Sequence, residues 1–378
     1  MITPRIAVIG TGTIGSQTLW QLSRLDCEAT GYELFSPGHS RGAGGGESRL
    51  FRHIEIEDLQ YQPVLERADE LWKDLEATTG QKLRDISGAL TFSAESAPAT
   101  RIALQSAEFL GDRVEVMTAA EAKSRFPMYE TDPDEIVILD KGAGTIFPEK
   151  TIRTAAAAAK ANGATIHTEA RVTGIAQEGN KVAVTADGHT ERYDRVIVAA
   201  GAWTSTLLPD IAPYLATRRV LSTWFLPRTG ESLAGMLPYI RTEPTYSYGL
   251  PTADGLAMKL GLGFANHLPV DSPDTARLNV TEEDIQAVRD LARRFLPHLE
   301  NYPMRMTPYF EAYTHNRHEY VDQHPGMPGV LVLAGFSGKG FKTSPVIGEI
   351  AAREVLGLEQ KIDAKFLLDG QRVSAQNL

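Results

Sequence analysis

An α/β fold is what the sequence predicts, joined to a second, α+β domain built on an antiparallel sheet. Three stretches predict it. An apolar strand at residues 5–9 runs straight into a glycine-rich turn. Strands and a helix return over residues 146–201. A last buried strand at residues 330–335 enters a second glycine-rich loop.

The first stretch reads Arg5-Ile6-Ala7-Val8-Ile9-Gly10-Thr11-Gly12-Thr13-Ile14-Gly15, and residues 16–25 continue as a helix. In this spacing Gly10 permits the tight turn, Gly12 lets backbone approach a pyrophosphate, and Gly15 lets helix and strand lie close. The start of the helix offers that pyrophosphate free N–H groups and the positive end of its dipole. Glu33 closes the second strand about twenty residues on, where a carboxylate accepts hydrogen bonds from ribose hydroxyls. The pattern is Rossmann-like. The acid favours a free ribose, hence NAD or FAD over NADP, and the motif leaves those two open.

The chain has 378 residues, enough for two domains, and a formal charge of −10, which argues against nucleic-acid and anionic-membrane partners. No apolar run reaches membrane-spanning length. Met1-Ile2-Thr3-Pro4 leads into the first strand with no signal peptide, so a soluble, cytoplasmic protein is expected. Cys27 is the single cysteine, which excludes disulfides and thiolate-rich metal sites. The nine histidines show no metal-ligand spacing, and no metal is expected.

Pro63 opens a long helix with an apolar face of Val64, Leu65, Leu71, Trp72 and Leu75. Residues 87–92 read as a strand, Thr118 to Glu121 as a capping box, and residues 136–139 as a short strand. Phe147-Pro148-Glu149 introduces an alanine-rich helix that Asn162-Gly163 ends. Strands follow at residues 164–168, 172–176 and 181–185, with a hairpin turn at Asp187-Gly188. Residues 194–201 form a buried strand ending in small residues, which allow close backbone approach to a ligand. Residues 220–226, 246–250 and 256–261 look antiparallel, and Thr281 to Asp284 cap a helix running to about residue 295. The final strand enters the loop Phe336-Ser337-Gly338-Lys339-Gly340-Phe341-Lys342, with a helix expected from about Pro345. The expected division is a discontinuous nucleotide domain of residues 1–85, 146–215 and 321–378, and a substrate domain of residues 86–145 and 216–320.

Three segments together resemble the FAD-dependent amine oxidases of the D-amino-acid oxidase superfamily, in the branch of monomeric sarcosine oxidase and N-methyltryptophan oxidase. They are residues 8–15 with Glu33, residues 46–53 with Tyr61-Gln62-Pro63, and residues 334–342. The stretch ending Ala199-Ala200-Gly201-Ala202-Trp203 and the strand Ala257-Met258-Lys259-Leu260-Gly261 are similar to the family's too. The resemblance implies a Rossmann-like FAD-binding domain. It also implies that an amine loses a hydride equivalent from the carbon next to nitrogen, leaving an imine that water hydrolyses. Oxygen would then take the electrons and leave as hydrogen peroxide. The cofactor carries that chemistry, while the protein supplies orientation and charge.

The resemblance assigns roles as well. Arg52 and Lys342 match the pair that grips the substrate carboxylate, and Tyr248 and Tyr313 match tyrosines of the substrate pocket. Arg49 matches an arginine beside the flavin ring. Lys259, alone in an apolar strand, matches a lysine over the ring that promotes reaction with oxygen. FAD contacts are implied for Gly10, Gly12, Thr13, Ile14, Gly15, Glu33, Ser40, Gly46, Ser48, Arg49, Val172, Gly201, Trp203, Gly338, Lys339, Gly340, Phe341 and Lys342. A monomer is expected, with a small amine or amino acid and molecular oxygen as its partners.

Two departures stand out. Close relatives attach FAD through a cysteine in a C-T-Y-T-like stretch. Here that stretch reads Glu311-Ala312-Tyr313-Thr314, so non-covalent FAD is expected. Gly45 and Gly263 stand where the sarcosine-oxidising branch has pocket histidines, which leads to the expectation of extra room and of a bulkier or differently charged substrate. The leading reading is an oxidase of a secondary or N-methylated amino acid. The alternative is an oxidase or dehydrogenase of another amine (a primary or cyclic amino acid, or a sugar-amine adduct) with a different electron acceptor.

Overall fold

The computed structural model describes residues 3–363 and 365–368. Its first layer is a six-stranded sheet in the order Tyr320–His324, Met327–Ala334, Arg195–Val198, Arg5–Ile9, Glu28–Tyr32, Thr165–His167. All pairs are parallel except the first, where Tyr320–His324 returns antiparallel. The central strands are apolar on both faces because both are covered. Helices Thr13–Leu22, Pro148–Ala161 and Gly340–Val355 pack together, the first against both others.

The turn after the first strand meets the demands its glycines imply. Gly10 sits at φ +87°, in the left-handed region. A Cβ on Gly15 would lie 1.8 Å from the Gly10 carbonyl oxygen, so helix and turn touch backbone to backbone.

A nine-stranded sheet forms the second layer. Its path runs Leu268–Pro269, Ala216–Phe225, Met258–Leu262, Ser247–Pro251, Tyr239–Arg241, Ala89–Ala94, Glu135–Asp140, Val114–Thr118, and Arg305–Tyr313 pairs with Ala216–Phe225. It is antiparallel but for one parallel pair, Tyr239–Arg241 with Ala89–Ala94. Arg305–Tyr313 is absent from the sequence reading because Pro308 argues against a strand. It is tolerated here because the strand runs along one partner strand and meets others only at isolated bridges, through Phe310 and Tyr313. The capping boxes at Thr118/Glu121 and Thr281/Asp284 are both formed.

The last helix corrects the sequence reading more sharply. It begins at Gly340, not near Pro345, so Phe341 and Lys342 belong to its first turn rather than to a loop. Pro345 lacks the N–H that would bond the Phe341 carbonyl. The Ser344 hydroxyl donates to that carbonyl at 2.8 Å instead, and the helix runs through. The Trp72 indole N–H donates to the Lys342 carbonyl at 3.0 Å, and Arg67 binds Glu349 through two nitrogens, at 2.9 and 2.7 Å. Helix Gln62–Thr79 thus fixes where the first turn lies. Among the described residues, no helix is long and apolar enough to cross a membrane.

Gly15→Ala is expected to destabilise the protein by about 2–3 kcal/mol, since its methyl group has to displace backbone. A thermal melt unchanged from the parent would show that helix and turn separate freely.

Candidate active site

A cavity of about 710 Å³ lies between the two sheets. It is lined by the C-terminal ends of the parallel strands on one side and by strands of the larger sheet on the other. The ends of parallel strands are where open α/β sheets bind ligands.

One end is built by the glycine turn. Gly10, Gly12, Thr13 and Ile14 line it. A Cβ at Gly12 would meet no protein atom within 4 Å, so bare backbone faces the space. Gly15 is packed behind the turn and does not line it. Glu33 does line it, held by the Thr11 N–H (2.9 Å) and hydroxyl (3.1 Å) on one oxygen and the Phe35 N–H (3.0 Å) on the other. Val172, Gly201 and Trp203 form an adjoining wall, and Gly338, Lys339, Gly340 and Phe341 form another. A strand end, a bare glycine turn at a helix start and a fixed carboxylate fit a dinucleotide cofactor.

Arg52 and Lys342 come together at the same cavity, although 290 positions separate them. The link is Glu55, which the sequence reading passed over. Its carboxylate lies 3.8 Å from Arg52 Nη2 and 3.3 Å from Lys342 Nζ, and all three side chains are buried. Burial alone would raise the pKa of Glu55. The charges of Lys342 and Arg52 outweigh it and bring it to about 2. Burial and the charge of Arg52 lower Lys342 to about 8, against the pull of Glu55. Arg52 Nη1 is buried and, among the described residues, has no hydrogen-bond partner. Its segment is anchored by Asp140, which accepts from the backbone N–H of His53 at 2.6 Å and of Ile54 at 3.3 Å.

Arg49 lines the cavity and donates to the carbonyls of Ser48 (2.7 Å) and Ala43 (2.6 Å). Lys259 lies behind that wall. It is fully buried and does not line the cavity, and its Nζ donates to the carbonyls of Gly46 and Ser48 at 2.9 Å each. Burial, then the charge of Arg49, holds its pKa well below the usual lysine value. Gly46 and Ser48 are therefore occupied with Lys259, and Ser40 packs against Gly45. None of the three lines the cavity.

Tyr248 and Tyr313 do line it. The Tyr313 hydroxyl lies 3.0 Å from His267 Nδ1 and 2.9 Å from Glu311 Oε2. The proton positions follow from the partners. The Leu262 carbonyl only accepts, so His267 Nε2, 2.9 Å away, carries a hydrogen. Burial lowers the His267 pKa to about 4, so Nδ1 carries no hydrogen. The Tyr313 hydroxyl donates to Glu311 Oε2. Burial raises the pKa of Glu311, against the hydrogen bonds it accepts from Tyr313 and from backbone. Its other oxygen accepts the Gly338 N–H at 2.9 Å.

The expectation of extra room at Gly45 and Gly263 is not met. A Cβ on Gly45 would meet Ser40 Cα at 2.7 Å and Tyr309 Cε1 at 2.9 Å, and one on Gly263 would meet Tyr246 Cβ at 2.7 Å. Neighbouring side chains have taken the space. Cys27 lies outside the cavity lining, its thiol bonded to the Leu22 carbonyl at 3.3 Å.

Glu311→Gln tests the raised pKa. An unfolded glutamate ionises in the ordinary carboxylate range, while folded Glu311 keeps its proton to higher pH. The parent therefore loses stability as pH rises from that range to the raised value. The amide cannot ionise. The melting temperature of the variant relative to the parent should climb across that window, and a constant difference would mean that folding does not raise the pKa of Glu311.

Residues 5–354 match the family model of FAD dependent oxidoreductases designated DAO. Monomeric sarcosine oxidase of Streptomyces avermitilis is 31% identical over 355 residues, 92% of either chain. N-methyl-L-tryptophan oxidase of Yersinia pestis is 28% identical over 357 residues, covering 92% of this chain and 93% of that one. The structure of NikD, an unusual amino acid oxidase essential for nikkomycin biosynthesis, has the same fold: TM-score 0.83 at 21% identity, over 99% of this chain and 98% of the other. The chain belongs to the DAO family and is an FAD-dependent oxidoreductase.

Proposed function

We propose that this oxidoreductase acts on the CH–NH group of a secondary or N-methylated amino acid, with non-covalently held FAD and with oxygen as the final acceptor. In balance, the amine, oxygen and water give the dealkylated amine, an aldehyde and hydrogen peroxide. Residues 1–85, 146–215 and 321–378 would hold the cofactor, of which 1–2, 364 and 369–378 lie outside the described residues, and residues 86–145 and 216–320 would cover the substrate.

The observation that carries the reading is the pair of buried cations on one buried anion. Arg52 and Lys342 share Glu55, leaving one net positive charge, and Arg52 Nη1 has no partner among the described residues. A substrate carboxylate supplies the missing charge and acceptor. Tyr248 and Tyr313 would wall the amine. Bound FAD would supply the two-electron acceptor for the hydrogen and electron pair of the C–H bond. Arg49 would place positive charge beside it. Glu311 stands where relatives use a cysteine, and Cys27 lies outside the cavity lining, which supports a non-covalent cofactor.

A dehydrogenase with another acceptor is the second reading. The placement of Lys259 behind the cavity wall, with a depressed pKa, favours it.

Anaerobic titration with N-methylated, cyclic and primary amino acids should bleach the flavin with one class only. Air should restore the colour and release peroxide, and acid precipitation should leave the flavin in the supernatant. No bleaching by any amino acid would sink the proposal. Arg52→Met should lower kcat/KM by about 10²-fold or more, mostly through KM. Lys259→Met should slow reoxidation by oxygen by about 10²-fold while leaving flavin reduction little changed. Equal reoxidation in variant and parent would favour the dehydrogenase.

A further inference from the structure

A second cationic centre faces the same cavity. The Arg317 guanidinium lies over the Phe264 ring, 4.4 Å from its centroid, and the Arg218 guanidinium lies 4.6 Å from the same centroid. Phe264 and Arg317 both line the cavity. Arg317 sits at φ +63°, a conformation costly for a long side chain.

The two cations lack counter-charges. Among the described residues, the Arg317 side chain has neither an ion pair nor a hydrogen bond. Arg218 is buried. Its Nε has no partner among those residues, and its one side-chain bond is a long one, 3.5 Å, to the His267 carbonyl. The cross-strand neighbour of Arg218 is Glu311. Among the described residues the two form no ion pair, so Glu311 offers Arg218 no direct counter-charge. The other cations of the lining are engaged: Arg52 and Lys342 on Glu55, Lys339 on Glu57, Arg171 on Asp274, and Arg49 on two carbonyls. The cavity wall carries six cationic side chains and three carboxyls, in a chain of net charge −10. A guanidinium stacked on a ring keeps its in-plane N–H groups free for a carboxylate.

The two centres share one wall. Tyr246 feels the charge of Arg52, and its side chain fills the space beside Gly263. Phe264 follows directly in sequence and carries Arg317. A cofactor pyrophosphate has its own cradle at the Gly10 turn.

We propose that Arg317 is a specificity residue for a second carboxylate, and that the substrate is a dicarboxylic secondary amino acid. This rests on the reading of Arg52 and Lys342 as the site of the first carboxylate. One acid group sits on Arg52 and Lys342, the amine lies between, and the other acid group meets Arg317.

Unreactive anions test this without turnover. Glutarate and pimelate, each against its own monoamide, are titrated into the holoenzyme, and dissociation constants are read from the flavin absorbance. At least one diacid should bind about tenfold tighter than its monoamide. Arg317→Leu should abolish that gap by weakening the diacid, and Arg317→Lys should restore part of it. Equal binding of diacid and monoamide at both lengths, binding of neither, or a gap that survives Arg317→Leu would overturn the proposal. Arg52→Met separates the underlying reading: it should weaken diacid and monoamide alike. If it weakens neither, the first-carboxylate assignment has failed rather than the second.

Discussion

The site depends on one buried carboxylate. Two cations taken out of water side by side repel each other and lose their hydration, a cost of several kcal/mol per ion. Glu55 offsets both. It also satisfies the chain around it: Oε1 accepts the N–H groups of Ile56 and Glu57, at 2.9 and 3.1 Å. Its own N–H bonds the Ser106 hydroxyl, which in turn donates to Gln62. Three helices therefore meet at this residue: the one that starts at Gln62, the one that carries Ser106, and the one whose first turn carries Lys342. Two cations with one anion leave the cluster short of a single negative charge. That shortfall is the chemical content of a carboxylate site, and it comes from the charge count rather than from a shape.

Long-range assembly follows from this. Arg52 and Glu55 lie three residues apart on a segment anchored by Asp140, while Lys342 arrives from the far end of the chain. The position of Lys342 is set by backbone bonds, not by its charge. Trp72 holds its carbonyl, and Ser344 repairs the turn that Pro345 interrupts. A helix starting at Pro345 would leave Lys342 in a loop. Starting at Gly340, it makes Lys342 a rigid cation. The rigidity is what holds Lys342 on the carboxylate it shares with Arg52.

How much of this could be read in the sequence depends on the range of each interaction. The Gly10 to Gly15 turn was legible because its constraint is local: Gly15 touches the Gly10 carbonyl five residues back. Arg52, Lys342 and the pocket tyrosines were legible through resemblance. Glu55 was not, because the alternation Ile54-Glu55-Ile56-Glu57 reads as a solvated acidic edge, and only Lys342 makes it a buried one. The helix start was hidden by two glycines and a proline, each a breaker when judged alone. The strand that carries Glu311 and Tyr313 was hidden by Pro308. Gly45 and Gly263 misled for the opposite reason. A missing side chain suggests space, but Ser40, Tyr309 and Tyr246 close it, and none of these is near in sequence to both glycines.

Lys259 shows how the two cationic layers of the wall act on each other. Two of its three N–H groups are taken by the carbonyls of Gly46 and Ser48, and the ammonium lies 5.6 Å from the Trp224 ring centroid. Arg49 presses on the same backbone from the cavity side and donates to the Ser48 carbonyl that Lys259 also uses. The charge of Arg49 thus adds to burial in making Lys259 harder to keep charged. An anion arriving beside Arg49 changes that balance. It relieves the repulsion and raises the affinity of Lys259 for its proton, although the lysine touches nothing in the cavity. The wall therefore couples charge gained inside the cavity to proton uptake behind it, through the one Ser48 carbonyl that both cations share.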